Sequence, residues 1–203
     1  VEARVLTPPT LAALEKALND AWSAGRPFTA LYLDGRFRRD PEQGDSPLFG
    51  FEVSYDLHVP LCRDAQFVPV AALATLLATY RIRLVVLTRP GETAHAVRPS
   101  ELASLLLAAG IAAVITTHPD APLETLRRFW TTFYEELLRG ARIGQALFAG
   151  QRRLAGDSYR GPGLGGGGVY LRDWLVFTLY LGRHDPRLAL RPALDLWRRL
   201  VGA

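Results

Sequence analysis

FTALYLDGRF at residues 28–37 and RLVVLTRP at residues 83–90 are the two segments that decide the fold. Each begins as an apolar run and ends in charged or turn-forming residues. The second run is short, β-branched and apolar, which is typical of a parallel strand covered on both faces. In an open parallel sheet, the loops at the carboxyl ends of the strands form the crevice in which ligands bind. The residues that end these two segments therefore decide the function.

The rest of the chain alternates between predicted helices and strands. Thr10 is placed to cap the first helix, and Gly110 and Gly140 are typical helix ends. The apolar pattern predicts helices over residues 11–22, 70–80, 101–109 and 123–139, and further strands over residues 49–55 and 111–116. This order predicts an α/β fold with a mostly parallel central sheet and helices on both faces.

Length and composition predict one globular domain. The 203 residues are 49% hydrophobic and 22% charged, which suits a single α/β core. No apolar run reaches the roughly 18–20 residues that span a bilayer, and the N-terminus lacks a signal-peptide pattern, so we expect no membrane contact. The only cysteine, Cys62, excludes an internal disulfide, and a cytoplasmic location fits this best. The four histidines have no zinc-site spacing, and we predict no metal or cofactor.

The two opening segments resemble the catalytic junctions of the CHAT domain, a caspase-like peptidase module common in bacteria. In that family the first junction ends in His-x-Asp-Gly-His-Gly or His-x-Ser-Gly-His-Gly, and the second ends in Asn-Ala-Cys or Ser-Ala-Cys. The matching positions in this chain are residues 32–37 and 88–90. The resemblance places the family's catalytic histidine on Arg36 and its catalytic cysteine on Pro90, or on Arg89 if the loop shifts by one residue.

The resemblance implies a caspase-like three-layer α/β/α sandwich over residues 1–185. Within it, residues 1–5 resemble the family's entry strand, residues 142–154 a later helix and residues 173–180 the family's last strand. Residues 186–203 lie outside it and read as a short amphipathic helical tail that docks on the domain or contacts a neighbouring segment. The glycine-rich run that follows Gly156 has neither the lysine nor the hydroxyl of a phosphate-binding loop, so we predict a mobile loop there. The chain contains no methionine and does not begin with one. We therefore expect it to be a domain of a longer bacterial protein.

The altered junctions predict a chain without peptidase activity. A cysteine peptidase needs a thiolate and an imidazole that takes up and returns a proton. Arginine is permanently charged and cannot accept that proton, and proline carries no nucleophile. The resulting hypothesis is an interaction or regulatory module whose partner is another protein or another domain of its own parent chain. The alternatives are an active peptidase that uses Cys62, helped by a loop histidine such as His95 or His118, and a nucleic-acid-binding module.

Basic residues near the first junction suggest an anion-binding cleft. Of the 24 basic residues only Lys16 is a lysine, but the net charge is only +4 and most arginines are interspersed with acidic residues, as on a solvated surface. The predicted cleft residues are Tyr32, Asp34, Arg36, Arg38, Arg39, Arg89 and Glu92. Such a group would suit an acidic peptide, a phosphate or a nucleic-acid segment. Alternatively, Arg36 pairs with Asp34 or Glu92 and holds the cleft shut.

Overall fold

A computed structural model describes residues 3–40, 45–52, 65–88, 97–163 and 167–188. The helices in these ranges are α1 (Leu11–Ser23), α2 (Val70–Thr79), α3 (Pro99–Ala108), α4 (Leu123–Leu138) and α5 (Ile143–Gly156). The strands are β1 (Ala30–Asp34), β2 (Phe37–Asp40), β3 (Ser46–Glu52), β4 (Ala65–Pro69), β5 (Leu84–Thr88), β6 (Ala113–Thr117), β7 (Tyr159–Pro162), β8 (Gly168–Tyr170) and β9 (Phe177–Leu181).

The central sheet has the strand order β1-β5-β6-β9. Strands β1, β5 and β6 are parallel, and β9 is antiparallel to β6. Every residue of β5 and β6 is buried, because helices cover both faces of the sheet and leave no polar side to these strands. The mostly parallel sheet predicted from the two opening segments is confirmed.

Two apolar cores lie on opposite faces of this sheet. One contains Leu14 of α1, Leu73 of α2 and Leu102 of α3. The other contains Phe129 of α4 and Ala146 of α5. Side chains alternate along each strand, so neighbouring residues of β5 enter different cores. The three-layer α/β/α sandwich is therefore confirmed, with three helices on one face and two on the other.

A second sheet, of order β2-β3-β4 and antiparallel throughout, follows β1 directly. Its aromatic residues Phe37, Phe49 and Phe51 are buried and join the core of α1, α2 and α3. The predicted strand over residues 49–55 begins earlier, at Ser46, and its described part ends at Glu52. This small sheet is an addition to the predicted architecture, and only two residues separate it from the end of β1.

Both the start of the chain and the start of the last strand differ from prediction. Residues 3–6 form no strand, and Val5 is 87% exposed, because the prolines at positions 8 and 9 cannot donate ladder hydrogen bonds. Thr10 does cap α1 as predicted, since its hydroxyl accepts a hydrogen bond of 3.1 Å from the Ala13 amide. The last strand begins at Phe177 and not at residue 173, because a turn connects the Asp173 carbonyl to the Val176 amide.

The prediction of a mobile loop after Gly156 is wrong for two segments of it. Strands β7 and β8 form an antiparallel pair in which Tyr159 lies opposite Tyr170. The physical reason is a buried arginine, Arg160, which anchors β7 to the sandwich. The predicted boundary at residue 185 stays a prediction, because residues 189–203 lie outside the described ranges. Among the described helices, none combines the length and the apolar character that crossing a bilayer requires.

Candidate functional site

The two predicted junctions meet at one edge of the central sheet. Strands β1 and β5 are neighbours, and Asp34 at the end of β1 lies opposite Thr88 at the end of β5. The described residues at this edge are Tyr32, Asp34, Arg36 and Thr88. Three further predicted residues, Arg89, Pro90 and Glu92, lie outside the described ranges. This edge, at the carboxyl ends of parallel strands, is where ligands bind in open α/β sheets.

Thr88 ties the two strand ends together. Its buried hydroxyl lies 2.8 Å from Asp34 Oδ1 and 3.2 Å from the Leu33 carbonyl oxygen. Both neighbours are acceptors, so the single hydroxyl hydrogen is shared between them. This contact holds the Asp34 carboxylate in one position at the sheet edge.

Gly35 lets the chain turn from β1 straight into β2. A Cβ at this position would lie 2.7 Å from the Phe49 ring, so only glycine fits without moving the ring. Arg36 follows as an exposed side chain, and its carbonyl accepts a hydrogen bond of 3.0 Å from the Gly50 amide. Within the described part of the chain no ion pair joins Arg36 to Asp34. The alternative in which Asp34 neutralises Arg36 therefore gains no support.

Two of the predicted arginines, Arg38 and Arg39, have different partners. Arg38 and Arg39 are adjacent on β2, so their side chains leave opposite faces of the small sheet. The Arg38 guanidinium stacks over the Phe67 ring at 3.6 Å. The Arg39 guanidinium forms two hydrogen bonds to the Glu101 carboxylate, at 3.1 and 2.7 Å, and these fasten the small sheet to α3. Arg39 therefore fastens the small sheet to α3, whereas Arg36 and Arg38 are exposed.

Three aromatic side chains, Tyr32, Trp130 and Tyr134, form a patch beside Asp34, which we call the tyrosine patch. The ring of Trp130 lies 5.8 Å from that of Tyr32 and 5.7 Å from that of Tyr134. Burial raises the pKa of Tyr32; a side-chain hydrogen bond with Thr88 acts against this, and the charge of Asp34 adds to it. Burial and the neighbouring Tyr32 raise the pKa of Tyr134 to about 12. Both phenols are therefore protonated at neutral pH and cannot act as bases.

Histidine does not complete a catalytic pair in the described residues. His118 follows β6 at the same sheet edge, but its ring Nδ1 accepts a hydrogen bond of 3.3 Å from the Asp120 amide. His184 is exposed beyond β9, at the opposite end of the sheet. Cys62, His58 and His95 lie outside the described ranges. The described residues also contain no cluster of three side chains that could ligate a metal.

One cluster at this end of the sandwich was missed by the sequence reasoning. Arg160 donates to both oxygens of Asp173, at 3.0 and 2.5 Å, to the Leu154 carbonyl at 3.2 Å and to the Asp157 carbonyl. Thr125 of α4 donates to Asp173 in turn. The cluster joins the start of α4, the end of α5 and the segment before β9. Its one sequence signal is a charged residue within a glycine-rich run.

Electrostatics at Asp173 reflect two opposing causes. Burial alone would raise the pKa of this carboxyl group, but hydrogen bonds from Arg160 and Thr125, with the charge of Arg160, outweigh burial and hold the pKa below its ordinary value. Asp173 is therefore ionised at neutral pH, and it compensates an arginine whose side chain is only 1% exposed.

A shallow basic pocket lies away from the sheet edge, between α4 and α5. Its volume is about 230 Å³, and its lining includes Arg127, Arg128 and Arg153. Hydrogen bonds from Arg127 and Arg128 lower the pKa of Glu124 to about 2, so this carboxylate is ionised and paired with both arginines. Arg128 also pairs with Asp157 at 2.7 Å. The pocket is mostly neutralised by its own carboxylates and offers little charge to an anion.

A model of a known protein family matches most of the chain. The model described as the CHAT domain matches residues 13–186. This range includes every described strand and the two junctions at the edge of the sheet. No curated protein matches the chain.

Proposed function

The chain belongs to the CHAT domain family, and from this we propose that it is a catalytically inactive member that serves as a protein-interaction or regulatory module of a larger bacterial protein. Its fold is the caspase-like α/β sandwich of a peptidase-related family. The observation that carries the proposal is the exposed Arg36 at the end of the first junction, where the resemblance puts the catalytic histidine.

The chemistry of the described edge supports the absence of peptidase activity. Acyl transfer needs a nucleophile beside a group that accepts its proton. The described side chains near this edge include the phenols of Tyr32 and, on α4, Tyr134, which both stay protonated at neutral pH. They also include the Asp34 carboxylate, held by Thr88, and the Arg36 guanidinium, which cannot take up a proton. Of these groups only the Asp34 carboxylate can take up a proton, and no thiol or imidazole is present at the described ends of β1 and β5.

The same edge suits the binding of a protein segment. Tyr32 is 45% exposed, and Arg36, four residues later in the chain, is also exposed. Tyrosine and arginine are among the residues that contribute most to binding at protein interfaces. The Thr88 contact to Asp34 and the tight turn at Gly35 hold both side chains on a rigid support, which lowers the entropy lost on binding. We infer a partner that offers an apolar surface to Tyr32 and a carboxylate to Arg36.

We expect the purified chain to hydrolyse no peptide substrate in a thiol-dependent way. The measurement is turnover of a library of fluorogenic peptides, before and after thiol alkylation. The matched variant is Cys62→Ala, which removes the only thiol in the chain. Turnover that is abolished both by alkylation and by Cys62→Ala would contradict the proposal and establish the peptidase alternative.

For the partner captured from the native lysate, we expect Tyr32→Ala and Arg36→Ala each to weaken binding by about tenfold or more, as truncation of a central interface residue does. Binding is measured by calorimetry with purified components. Arg183→Ala removes an exposed arginine just beyond β9, at the opposite end of the sheet, and should leave the affinity unchanged. A partner that binds both edge variants as tightly as the unaltered chain contradicts this assignment. Capture of nucleic acid alone, lost at high salt, would favour the nucleic-acid alternative.

A further inference from the structure

A second pocket lies beside the last turn of α5, next to the hairpin of β7 and β8, and we call it the hairpin pocket. Its volume is about 400 Å³, and its lining consists of Leu154, Ala155, Ser158, Leu171, Arg172 and Trp174. Helix α5 packs against β9, where the Gln151 side chain donates to the Phe177 carbonyl at 3.3 Å. Because β1 and β9 are the two outer strands of the central sheet, the hairpin pocket is separate from the site at the end of β1.

Two walls of the hairpin pocket are fixed from inside the sandwich. Arg172 and Trp174 line the pocket and flank Asp173 in the sequence. The Asp173 carboxylate points inward, where Arg160 donates to both of its oxygens at 3.0 and 2.5 Å. The buried pair therefore holds the backbone from which both wall residues project. A preformed wall lowers the entropy that is lost when a ligand binds.

The interior of the hairpin pocket is mainly apolar. Leu154 is buried, and the Leu171 amide donates to the Ser158 carbonyl at 2.9 Å, so these two backbone groups are already paired. Trp174 is 38% exposed and Leu175 is 64% exposed, so the apolar surface continues beyond the pocket. Ligand pockets usually range from about 300 to 1,000 Å³, and a pocket at the small end of this range suits one large side chain.

The rim of the hairpin pocket carries an unpaired positive charge. Residues 151–176 contain four arginines and two aspartates. Both aspartates already have arginine partners. Arg172 is exposed, and it forms no ion pair with any residue in the described part of the chain. A carboxylate is the group that a free guanidinium binds best, together with phosphate.

The spacing of the two wall residues suits an extended peptide. Side chains two residues apart in an extended chain leave the same face. A peptide with an apolar side chain and a carboxylate two residues apart can therefore fill the pocket and reach Arg172 at the same time. A nucleic-acid strand is a poorer match, because it needs several cations along its phosphates, and the described lining supplies a single guanidinium among apolar groups.

We propose that the hairpin pocket binds an extended acidic peptide segment of a partner protein. An aromatic or aliphatic side chain of the peptide enters between Leu171 and Trp174, and a carboxylate two residues away pairs with Arg172. This contact goes beyond the proposed function, because it uses neither Tyr32 nor Arg36 and does not depend on the loss of peptidase activity.

The test is a titration of the isotope-labelled full chain with three capped pentapeptides, followed by nuclear magnetic resonance. The probes are Glu-Ser-Phe-Ser-Glu, Gln-Ser-Phe-Ser-Gln and Glu-Ser-Ala-Ser-Glu, so that a carboxylate lies on either side of the aromatic residue. We expect the first probe to shift the amide signals of Leu171 and Arg172 in a saturable way. It should bind about fivefold or more tightly than each of the others, because each of them lacks one of the two contacts.

Three variants assign the two contacts to the hairpin pocket. Arg172→Ala should remove the difference between the Glu and Gln probes and keep the difference between the Phe and Ala probes. Ala155→Trp, at an exposed position of the lining, fills the pocket and should remove the preference for Phe. Arg183→Ala is the matched control and should keep both differences. Amide signals from β5 report folding in every sample, and Arg172→Ala decides the test if Ala155→Trp does not fold.

Four outcomes would overturn the proposal. The first is the absence of saturable shifts at Leu171 and Arg172 with millimolar probe. The second is equal affinity for the Glu and Gln probes, and the third is a loss with Arg183→Ala as large as that with Arg172→Ala. The fourth is a ten-nucleotide thymidine strand that shifts the same amides at lower concentration than the acidic probe, which would assign the pocket to nucleic acid.

Discussion

Replacing Arg160 with alanine is expected to lower the free energy of unfolding by about 3–5 kcal/mol, the cost of leaving a buried charge without its partner. The substitution leaves the Asp173 carboxylate, whose side chain is only 8% exposed, without its cationic partner. It also removes the donor to the Leu154 carbonyl at the end of α5. Urea denaturation monitored by circular dichroism measures the loss.

Two companion variants sharpen this prediction. Arg160→Lys keeps the charge but loses the planar fork that reaches both Asp173 oxygens, so we expect an intermediate loss of stability. Arg127→Ala on the exposed side of α4 removes a solvent-exposed pair with Glu124 and should have a much smaller effect. Equal losses for Arg160→Ala and Arg127→Ala would show that the buried cluster does not stabilise the sandwich.

The Asp173 carboxylate gives the same cluster a pH dependence. Its pKa is lower in the folded chain than in the unfolded chain, so the unfolded chain binds the proton more readily. The stabilisation is therefore complete above the ordinary carboxyl pKa of about 4 and is lost as the pH falls through the lower folded value. The difference in unfolding free energy between the unaltered chain and Asp173→Asn should shrink over this range, whereas a constant difference would exclude the ionised pair.

Phe129→Ala is expected to cost about 3–5 kcal/mol, because it deletes a fully buried ring from the core of α4 and α5. The Phe129 ring stacks on that of Phe177, with centroids 3.5 Å apart, and so joins α4 to β9. It also lies against Gly150 of α5, where an added Cβ would approach the ring to 2.7 Å. Thermal unfolding of Phe129→Ala, of Gly150→Ala and of the variant with both substitutions measures the coupling between Phe129 and Gly150.

A second substitution, Gly150→Ala, extends this prediction to a double-mutant cycle. Gly150→Ala alone should destabilise by about 1–3 kcal/mol through overpacking against the ring. In the Phe129→Ala background the same methyl group enters the vacated space and should be neutral or stabilising. Additive effects of the two substitutions would contradict direct packing between Phe129 and Gly150.

The elements that sequence predicts best are those in which one physical signal dominates. Strands β5 and β6 are apolar without alternation because both faces are covered, and α4 shows a helix period because its apolar side chains, Phe129 among them, face one core. The mostly parallel central sheet is confirmed, and in it β1 pairs with β5. The resemblance to the CHAT domain is confirmed by the family match over residues 13–186.

What sequence does not predict are contacts between distant segments. Arg38 and Arg39 are adjacent in sequence, yet the alternation of β2 sends one to Phe67 and the other to Glu101 of α3. Arg160 lies in a glycine-rich run that indicates a loop, and its partner Asp173 is recognisable only once β7 is folded against α5. In both cases the missing information is the tertiary partner, which local periodicity does not contain.

The hydrogen bond between Thr88 and Asp34 also has a consequence for how the chain folds. Strands β1 and β5 are far apart in sequence, so no tight turn fixes their register. A slip by one residue would move Leu33 out of its core and bring Tyr32 or Asp34 towards it. It would also separate the Thr88 hydroxyl from the carboxylate it contacts. The hydrogen bond between Thr88 and Asp34 therefore favours the native register of β1 and β5 over a register shifted by one residue.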